Sequence, residues 1–287
     1  MKKIDLHIHT TFSDGSYTPK QILQTAKEIE FSTISITDHD CVDGYLSAKK
    51  LAKKYKIELI PGTEISCYYR DYDIHILAYF INPKNKELKN MLKFLQKGRT
   101  ERAIKMVEKL NELGIDISMK QLYEESKNKN VISRAHFASV MLKNAQIKKY
   151  TDAFYNYIGN NCPAHIRKST YSPSDVFRII RQAGGLSVLA HPGIIKNDFV
   201  IPELVKLGLD GLEIFYPLHT FYQKDVYLEL AKRYDLVITG GSDFHGKTRV
   251  DNRLGMMLLK ENYLENLKTK WRMEKKSVSP LKKFLSN

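Results

Sequence analysis

The 287-residue chain is 43% hydrophobic and 27% charged, which is typical of a globular protein with a buried core. No apolar run approaches the ~20 residues that a membrane-spanning helix needs, and the N-terminus lacks the apolar segment of a secretion signal. The net charge of +14 favours an anionic substrate such as a nucleotide or RNA, although a lysine-rich proteome would also produce it.

The first part of the chain alternates between strand-like and helix-like segments. Thr18 is a suitable N-cap for the first helix, because its hydroxyl can accept a backbone N–H and Pro19 fits the first helical position. Pro61-Gly62 is expected to interrupt the third strand. The predicted elements are a strand over 4–9, a helix over 19–30, a strand over 33–37, a helix over 46–55, and strands over 57–65 and 73–81.

In the middle of the chain the apolar residues recur at helical spacing, and no segment has a clear strand pattern. A long charged helix over 86–113 should end at Gly114, since glycine is common just past a helix C-terminus. We therefore place a helical insertion over 99–166, between two parts of a main domain, 1–98 and 167–287. The shorter helices are predicted over 119–127, 133–143 and 151–158.

The alternation resumes after Ser172-Pro173, and the tail from Lys260 reads as a terminal helix or a partly ordered arm. Seven strands separated by helices favour an α/β fold with a parallel sheet or barrel. The predicted elements are a helix over 174–183, a strand over 186–190, a helix over 201–207, a strand over 211–215, a helix over 225–234 and a strand over 236–239.

The three cysteines are far apart, and no two of them form a CxxC pair. This spacing supports neither a zinc knuckle nor a disulfide framework, and it is typical of a reducing compartment. We therefore expect a cytoplasmic protein with no membrane contact and no obligate protein partner. The cysteines are Cys41, Cys67 and Cys162.

Histidines and carboxylates gather near the predicted strand ends, where parallel barrels carry their working residues. His7 and His9 are two apart in a strand, so both rings face the same side. Asp38-His39-Asp40 ends an apolar strand abruptly, and such polar residues are costly to bury unless they bind something. Both residue types are ligands of borderline divalent metals. The other candidates are Asp14, Glu64, His191, Asp243 and His245, with His75 near the start of its strand and Glu213 inside its own.

Five segments resemble the PHP (polymerase and histidinol phosphatase) family, and together they span 5–246. A sixth segment, I-S-R-A-H-F-A at 132–138, resembles the branch of nucleoside 3′,5′-bisphosphate phosphatases and RNase AM type 5′–3′ exoribonucleases. The five segments are D-L-H-I-H-T-T-F-S-D-G from Asp5, I-T-D-H-D from Ile36, P-G-T-E-I-S from Pro61, L-A-H-P from Leu189 and G-G-S-D-F-H-G from Gly240.

The resemblance implies a distorted (β/α)7 barrel, which agrees with the seven predicted strands. It also implies two or three divalent ions, for which Mn, Fe and Zn are equally suitable. Asp38 is expected to orient a histidine from behind the ligands. One ion would be held by His7, His9, Glu64 and Asp243, a second would share Glu64 and use His75 and His191, and a third would use Asp14, His39 and His245.

A metal cluster of this kind would hydrolyse phosphate esters. Ions about 3.5–4 Å apart lower the pKa of a bridging water and clamp the phosphoryl oxygens. The resulting hydroxide would attack phosphorus in line, without a serine or cysteine nucleophile. We expect catalytic roles for His191 and Asp14, and the general acid would be His191, His219 or metal-bound water.

The insertion is expected to recognise the substrate. By resemblance, the S-R-x-H segment contacts a substrate phosphate, which Arg134 could hold bidentately with Ser133 and His136 beside it. Lys168 and His219 are further candidates for substrate binding. The long helix also carries Arg99 and Arg102, which are expected on a solvated face.

The expected reaction is removal of the 3′-phosphate from nucleoside 3′,5′-bisphosphates, 5′–3′ exonucleolysis of short RNA, or both. Histidinol-phosphate phosphatase is an alternative within the family. A non-catalytic nucleic-acid-binding module is an alternative of another class. The segment at 132–138 favours the nucleotide or RNA substrate over histidinol phosphate. The metal-ligand positions are all filled, which argues against a non-catalytic module.

Overall fold

The computed structural model describes residues 2–126, 131–246 and 253–284, and in these residues seven strands form one sheet in chain order. The α/β architecture is therefore confirmed. None of the described helices is long and apolar enough to cross a bilayer. The strands are β1 (Lys3–Ile8), β2 (Phe31–Ile36), β3 (Glu58–Tyr69), β4 (Tyr72–Tyr79), β5 (Leu186–Leu189), β6 (Gly211–Phe215) and β7 (Val237–Gly240).

The fourth strand runs against its neighbours, so the expectation of a purely parallel sheet was wrong. Only Arg70 and Asp71 separate β3 from β4, and a two-residue turn can join only antiparallel strands. Arg70 takes a left-handed conformation with φ +52° to make this turn. The start of β4 therefore lies at the same edge as the C-terminal ends of the parallel strands, and this brings His75 to that edge.

The third strand continues through Pro61-Gly62, where the sequence predicts an interruption. Pro61 lacks an N–H, but its carbonyl accepts the N–H of Phe80 at 2.8 Å, so the ladder continues on that side. A Cβ at Gly62 would lie 2.4 Å from the Ser35 hydroxyl oxygen, and this close approach requires glycine.

The sheet closes into the distorted (β/α)7 barrel through the segment that follows β7. Ile8 forms a parallel bridge with Phe244, and the His9 N–H donates to the Phe244 carbonyl at 2.9 Å. Gly241 allows this closure, because a Cβ there would lie 2.4 Å from the backbone nitrogen of His7.

Ten α-helices accompany the sheet in the described residues. Thr18 caps the first of them in a capping box with Gln21, as predicted, and Gly114 follows the third with φ +80°. The predicted end of the fourth, Lys127, lies outside the described residues. The helices are α1 (Pro19–Glu28), α2 (Asp43–Tyr55), α3 (Lys86–Glu112), α4 (Met119–Glu125), α5 (Arg134–Lys143), α6 (Tyr150–Ala153), α7 (Pro173–Gln182), α8 (Val200–Lys206), α9 (Phe221–Arg233) and α10 (Glu261–Phe284), with a π-helical turn at Phe154–Ile158 and a 3-10 turn at Pro192–Ile194.

Helix α3 belongs to two hydrophobic clusters. Leu88 and Leu95 pack with the barrel, whereas Met106 and Leu110 pack with α4, α5 and α6. The helix runs without a break through position 99, so the boundary of the insertion stays a prediction. Because α3 is packed along its length, Arg99 and Arg102 are buried at 3% and 4% exposure, and their expected place on a solvated face was wrong.

Candidate metal centre

The structure places all nine predicted ligands at the end of the barrel where the parallel strands terminate. Eight of them are buried, and the His75 side chain is 21% exposed. Two ligand positions carry backbone strain, since His191 has φ +30° and Asp243 has φ +50°. The nine are His7, His9, Asp14, His39, Glu64, His75, His191, Asp243 and His245.

The first group of donor atoms surrounds the end of β1. The Nε2 atoms of His7 and His9 are 3.1 Å apart. Both lie 3.2–3.4 Å from Oε2 of Glu64 and 3.1–3.4 Å from Oδ1 of Asp243. Ligands bound at about 2.1 Å in a tetrahedral site are separated by about 3.4 Å, so the spacing suits one ion.

A second group is centred on the other oxygen of Glu64. Oε1 lies 2.9 Å from Nδ1 of His75 and 3.1 Å from Nε2 of His191. His39 also reaches this carboxylate, with Nδ1 2.9 Å from Oε2. Possible ligand atoms of His39, Glu64 and His75 lie within 4.8 Å of one another, so His39 stands between the second and third predicted sites.

The third group lies on the opposite side of His9. Asp14 Oδ1 is 3.3 Å from Nε2 of His245, and Asp14 Oδ2 is 3.7 Å from Nε2 of His39. His9 joins the same cluster of possible ligands. The structure thus brings the predicted members of the third site together and adds His9 to them.

The buried donor atoms are oriented as a cation would require. Among the described residues, Asp14 Oδ1, His39 Nδ1 and Glu64 Oε2 are buried and have no hydrogen-bond partner. His39 Nδ1 and Glu64 Oε2 are only 2.9 Å apart but do not meet in hydrogen-bond geometry. Unsatisfied buried oxygens and nitrogens are costly, and cations bound in the separate donor groups would satisfy them.

Strong electrostatic coupling connects these groups. Burial alone would lower the pKa of His9, but hydrogen bonds to Asp243 and Glu64 raise it to about 9. Burial would raise the pKa of Glu64, but His39, His75 and His7 hold it well below its ordinary value. At neutral pH Glu64 is therefore charged and attracts positive charge into the centre.

A carboxylate that the sequence did not assign supports two of the ligands. Glu213 Oε1 lies 2.9 Å from Nδ1 of His7, and Glu213 Oε2 accepts the backbone N–H of His191 at 2.9 Å. A carboxylate behind a ligating histidine fixes its orientation and increases its basicity. The sequence does contain a sign that Glu213 has a partner, because a glutamate inside the apolar strand β6 is costly to bury without one.

Asp38 is predicted to orient a metal-ligating histidine, but its contact with a histidine is indirect. Its carboxylate accepts hydrogen bonds from the N–H and hydroxyl of Thr10 and from the hydroxyl of Ser13, each at 2.7 Å. The Ser13 hydroxyl lies 3.4 Å from Nδ1 of His9. Asp38 thus reaches a histidine only through Ser13 and mainly holds the turn after β1.

The predicted substrate residues Arg134 and Lys168 meet at one carboxylate beside the centre. Lys168 Nζ lies 3.2 Å from Oδ1 of Asp73, and an Arg134 amino group lies 3.5 Å from Oδ2. A cleft of about 170 Å³ is lined by Asp73 and Arg134 and also by His75 and His191. Arg134 therefore faces the same cleft as two of the proposed metal ligands.

Ser133 and His136 form the N-terminal cap of α5. The Ser133 hydroxyl accepts the Ala135 N–H, and the Ser133 N–H donates to Nδ1 of His136. Burial lowers the pKa of His136, so the ring is neutral. His136 also lines a cavity of about 280 Å³ together with Asp14, which places it on the other side of the centre from the cleft.

Both ring nitrogens of His219 form hydrogen bonds with backbone groups. Nδ1 donates to the Ile214 carbonyl at 2.9 Å, and Nε2 accepts the Gly193 N–H at 3.1 Å. These bonds tie the loop after β6 to the loop that follows His191. A role in substrate binding would require one of these hydrogen bonds to break, so this assignment stays a prediction.

Comparison with known proteins identifies the family. A family model described as PHP domain matches residues 5–162, which is more than half of the chain. The chain belongs to the PHP family. The match includes His7 and His9 and four more of the proposed ligands, Asp14, His39, Glu64 and His75.

Three relatives of this PHP protein are similar over most of their length. It is 30% identical to the phosphoribosyl 1,2-cyclic phosphate 1,2-diphosphodiesterase of Eggerthella lenta, over 85% of this chain and 94% of that one. It is 30% identical to the 3′,5′-nucleoside bisphosphate phosphatase of Chromobacterium violaceum, over 85% and 88%. It is 28% identical to a 5′–3′ exoribonuclease of Haemophilus influenzae, over 85% and 90%.

Two solved structures share the fold, each with a TM-score of 0.86. One is described as a metal-dependent phosphoesterase from Bifidobacterium adolescentis, with 29% identity over 93% of this chain and 95% of that chain. The other is an amidohydrolase from Chromobacterium violaceum with bound sulfate and no metal, with 27% identity over 95% and 96%. This PHP protein is a metal-dependent hydrolase of phosphate esters, and the two alternative functions are not favoured.

Proposed function

We propose that this PHP enzyme removes the 3′-phosphate from nucleoside 3′,5′-bisphosphates and also shortens short RNA from its 5′ end. The observation that carries the proposal is the cleft that Arg134 shares with His75 and His191. A phosphate that Arg134 holds there lies next to the metal centre. The Chromobacterium and Haemophilus relatives, whose names carry these two activities, support this choice of substrate.

Three divalent ions are the proposed complement of the centre, because the donor atoms gather in three groups. Histidine and carboxylate ligands suit Mn, Fe or Zn. When bound, the ions would polarise the phosphoryl group and activate the attacking water. Glu64 would bridge two ions, because its Oε2 faces His7, His9 and His39 whereas its Oε1 faces His75 and His191.

The chain's own residues would position the substrate and neutralise its negative charge. Arg134 and Lys168 would hold phosphate oxygens at the cleft. His191 lines the cleft, so we assign its ring the contact with the leaving oxygen. Asp14 lies in the third donor group, and we assign it to an ion rather than to the leaving group.

The insertion at 99–166 is the proposed substrate-recognition cap. It supplies Arg134 at the start of α5 and Asn160, whose side-chain oxygen accepts a hydrogen bond from Arg134 at 2.9 Å. Both residues line the cleft. The insertion therefore shapes the side of the cleft that the barrel strands do not provide.

A substrate panel tests this proposal. Metal-loaded protein would be assayed with adenosine 3′,5′-bisphosphate, 5′-phosphorylated trinucleotide RNA and histidinol phosphate, with the products separated by chromatography. We expect the largest kcat/KM for the bisphosphate, with adenosine 5′-monophosphate as product. A preference for histidinol phosphate, or release of the 5′-phosphate instead, would overturn the assignment.

A second candidate is hydrolysis of a phosphoribosyl cyclic phosphate, because the Eggerthella relative is as similar as the Chromobacterium one. 5-Phosphoribosyl 1,2-cyclic phosphate therefore belongs in the same panel. If its kcat/KM exceeded that of the bisphosphate, the second candidate would replace the first.

A further inference from the structure

Two loops beside the metal centre expose large apolar side chains to solvent. The first loop follows His191 at the end of β5, and the second follows β6 and leads into α9. Phe199, Phe221 and Tyr222 are 78% to 88% exposed, and two aliphatic side chains near them, Ile194 and Leu218, are exposed as well. Several large apolar side chains on one exposed surface are typical of an interaction site.

Contacts between the two loops show that these side chains share one surface. The Gly193 N–H donates to Nε2 of His219 at 3.1 Å, and a Cβ on Gly193 would lie 2.8 Å from the side-chain nitrogen of Gln223. Further along the first loop, Asp198 accepts a hydrogen bond from the Tyr227 hydroxyl of α9 at 2.9 Å. We call this surface the aromatic platform and define it as Ile194, Phe199, Leu218, Phe221 and Tyr222.

The two rings at the start of α9 are held in place by the helix itself. Thr220 caps α9 in a capping box with Gln223, so Phe221 and Tyr222 are the first two helical residues. Lys224 Nζ lies over the Phe221 ring, 5.8 Å from its centre. A surface that is ordered before binding loses less conformational entropy when a ligand binds.

The aromatic platform begins at the rim of the cleft described above. Ile194 lines this cleft of about 170 Å³ together with His191 and Arg134. The platform is therefore continuous with the place where the substrate's reacting end is proposed to bind. A substrate longer than one nucleotide must continue beyond the rim of so small a cleft.

The charges of the platform favour bases over backbone phosphates as its ligands. The segments 193–199 and 217–225 contain two lysines and two aspartates, and burial lowers the pKa of His219, so the segments carry no net charge. A groove that follows a nucleic-acid backbone is positively charged, whereas aromatic side chains bind the bases by stacking. The charged residues are Lys196, Asp198, Lys224 and Asp225.

We propose that the aromatic platform stacks the bases of the RNA nucleotides that follow the reacting end. The inference rests on the proposed function, because a nucleoside bisphosphate has only one base and no following nucleotides. Stacking on an aromatic side chain tolerates any base and contributes about 5- to 150-fold in affinity per base. The platform would thus make short RNA a better substrate than its length-independent chemistry requires.

The kinetic test compares a 5′-phosphorylated pentanucleotide RNA with adenosine 3′,5′-bisphosphate. The double variant Phe221→Ala, Tyr222→Ala should lower the ratio of kcat/KM for RNA to that for the bisphosphate by about 10- to 100-fold. An unchanged ratio, including equal losses on both substrates, would overturn the proposal.

The matched control is Met273→Ala. It removes an apolar side chain of 63% exposure from α10. Trp271 on the same helix donates to the Gly184 carbonyl, just before the start of β5, so α10 lies at the other end of the barrel. Met273→Ala should leave the ratio at the wild-type value, and a loss as large as that of the double variant would also overturn the proposal.

A binding test does not depend on any activity. Chelated protein would be titrated with the 5′-phosphorylated pentanucleotide, labelled at its 3′ end, and with an abasic oligomer of the same length, with fluorescence anisotropy as the readout. Wild type should bind the RNA at least about 5-fold more tightly than the abasic oligomer, and the double variant should bind both equally. If RNA binds in this way but is not hydrolysed, the proposed function fails and the platform stands; if wild type does not prefer the RNA, the platform is overturned whatever the substrate is.

Two further variants separate stacking from general apolar contact. Phe221→Trp keeps an aromatic face and should keep the preference for RNA over the abasic oligomer, whereas Phe221→Leu should lose most of it. Sedimentation velocity of wild type and of the double variant tests a second copy of the chain as the occupant. A wild-type dimer that the double variant dissociates, with no change in RNA preference, would make this surface a subunit interface and overturn the proposal.

Discussion

Arg99 and Asp40 form a buried ion pair that joins α3 to the loop carrying His39. Arg99 Nε lies 2.6 Å from Oδ2 of Asp40, and a terminal nitrogen of Arg99 donates to the Ser66 hydroxyl at 2.8 Å. The Ser66 N–H donates in turn to Oδ1 of Asp40 at 2.8 Å. Helix α3 therefore fixes the loop that carries His39, and Ser66 ties this network to the strand that carries Glu64.

The first prediction concerns this pair. Arg99→Met would leave Asp40 buried without its cation, so we expect the free energy of unfolding to fall by about 3–5 kcal/mol. Lys97→Met, an exposed position on the same helix, should change it by less than about 0.5 kcal/mol. Urea unfolding of both variants measures the difference.

A double variant checks the cause of that loss. Arg99→Met combined with Asp40→Asn removes both charges and should recover part of the stability. If Arg99→Met alone were as stable as Lys97→Met, the pair would contribute nothing and the link between helix and loop would be wrong.

The second prediction concerns the carboxylate behind His7. Glu213→Gln keeps the size of the side chain but removes the charge that faces Nδ1 of His7, so metal affinity should fall by about 10- to 100-fold. Glu229→Gln, at an exposed position on α9, is the matched control. Competition with a metal-binding dye measures both affinities, and equal affinities would show that Glu213 does not support the ligand.

The third prediction concerns pH in the metal-free protein. The pKa of His9 is about 9 in the folded state, against an ordinary value of 6.5. The folded state therefore binds this proton more tightly than the unfolded chain does, and the resulting stability is complete below pH 6.5 and is lost as the pH rises through 9. The melting temperature of chelated protein should fall across this range.

Metal binding should show the reverse dependence on pH. An ion must displace the His9 proton, so Mn²⁺ affinity should rise between pH 6.5 and 9 and binding should release protons. His9→Gln should flatten the melting curve of the chelated protein against pH. A melting temperature of chelated wild type that did not change over this range would contradict the assigned protonation.

The fourth prediction concerns Arg134. Arg134→Ala should raise KM for adenosine 3′,5′-bisphosphate by about 10- to 100-fold and lower kcat less, because a hydrogen bond to phosphate exists already in the ground state. Lys120→Ala removes an exposed charge from the same insertion and should leave KM unchanged. An unchanged KM in Arg134→Ala would exclude it as the phosphate ligand.

The barrel and its working end could be predicted because both depend on local patterns. The period-two spacing of His7 and His9 and the abrupt polar end after Ile36 are properties of single strands. The antiparallel course of β4 depends on a two-residue turn, which a list of strand-like segments does not reveal. His75 was read correctly as lying near the start of its strand, but only the antiparallel course of β4 explains why that start lies at the working end of the barrel.

The buried charges could not be predicted because they depend on tertiary packing. Helix α3 carries charges around much of its circumference, so its sequence does not show which of them face the two clusters. Arg99 is buried where it pairs with Asp40 and Ser66 of the barrel, and Arg102 is buried one turn further along the same helix. Glu213 was visible as a charge inside an apolar strand, but its partners come from β1 and from the loop after β5.

The most direct test of the account is a metal titration of chelated protein with phosphate release from adenosine 3′,5′-bisphosphate as the readout. We expect no release before metal is added, and activity that saturates as the protein binds three ions per chain. Glu64→Gln, which alters the residue common to two donor groups, should abolish the activity and lower the number of ions bound. Full activity in chelated wild-type protein, or unchanged activity in Glu64→Gln, would contradict the metal centre as the site of the reaction.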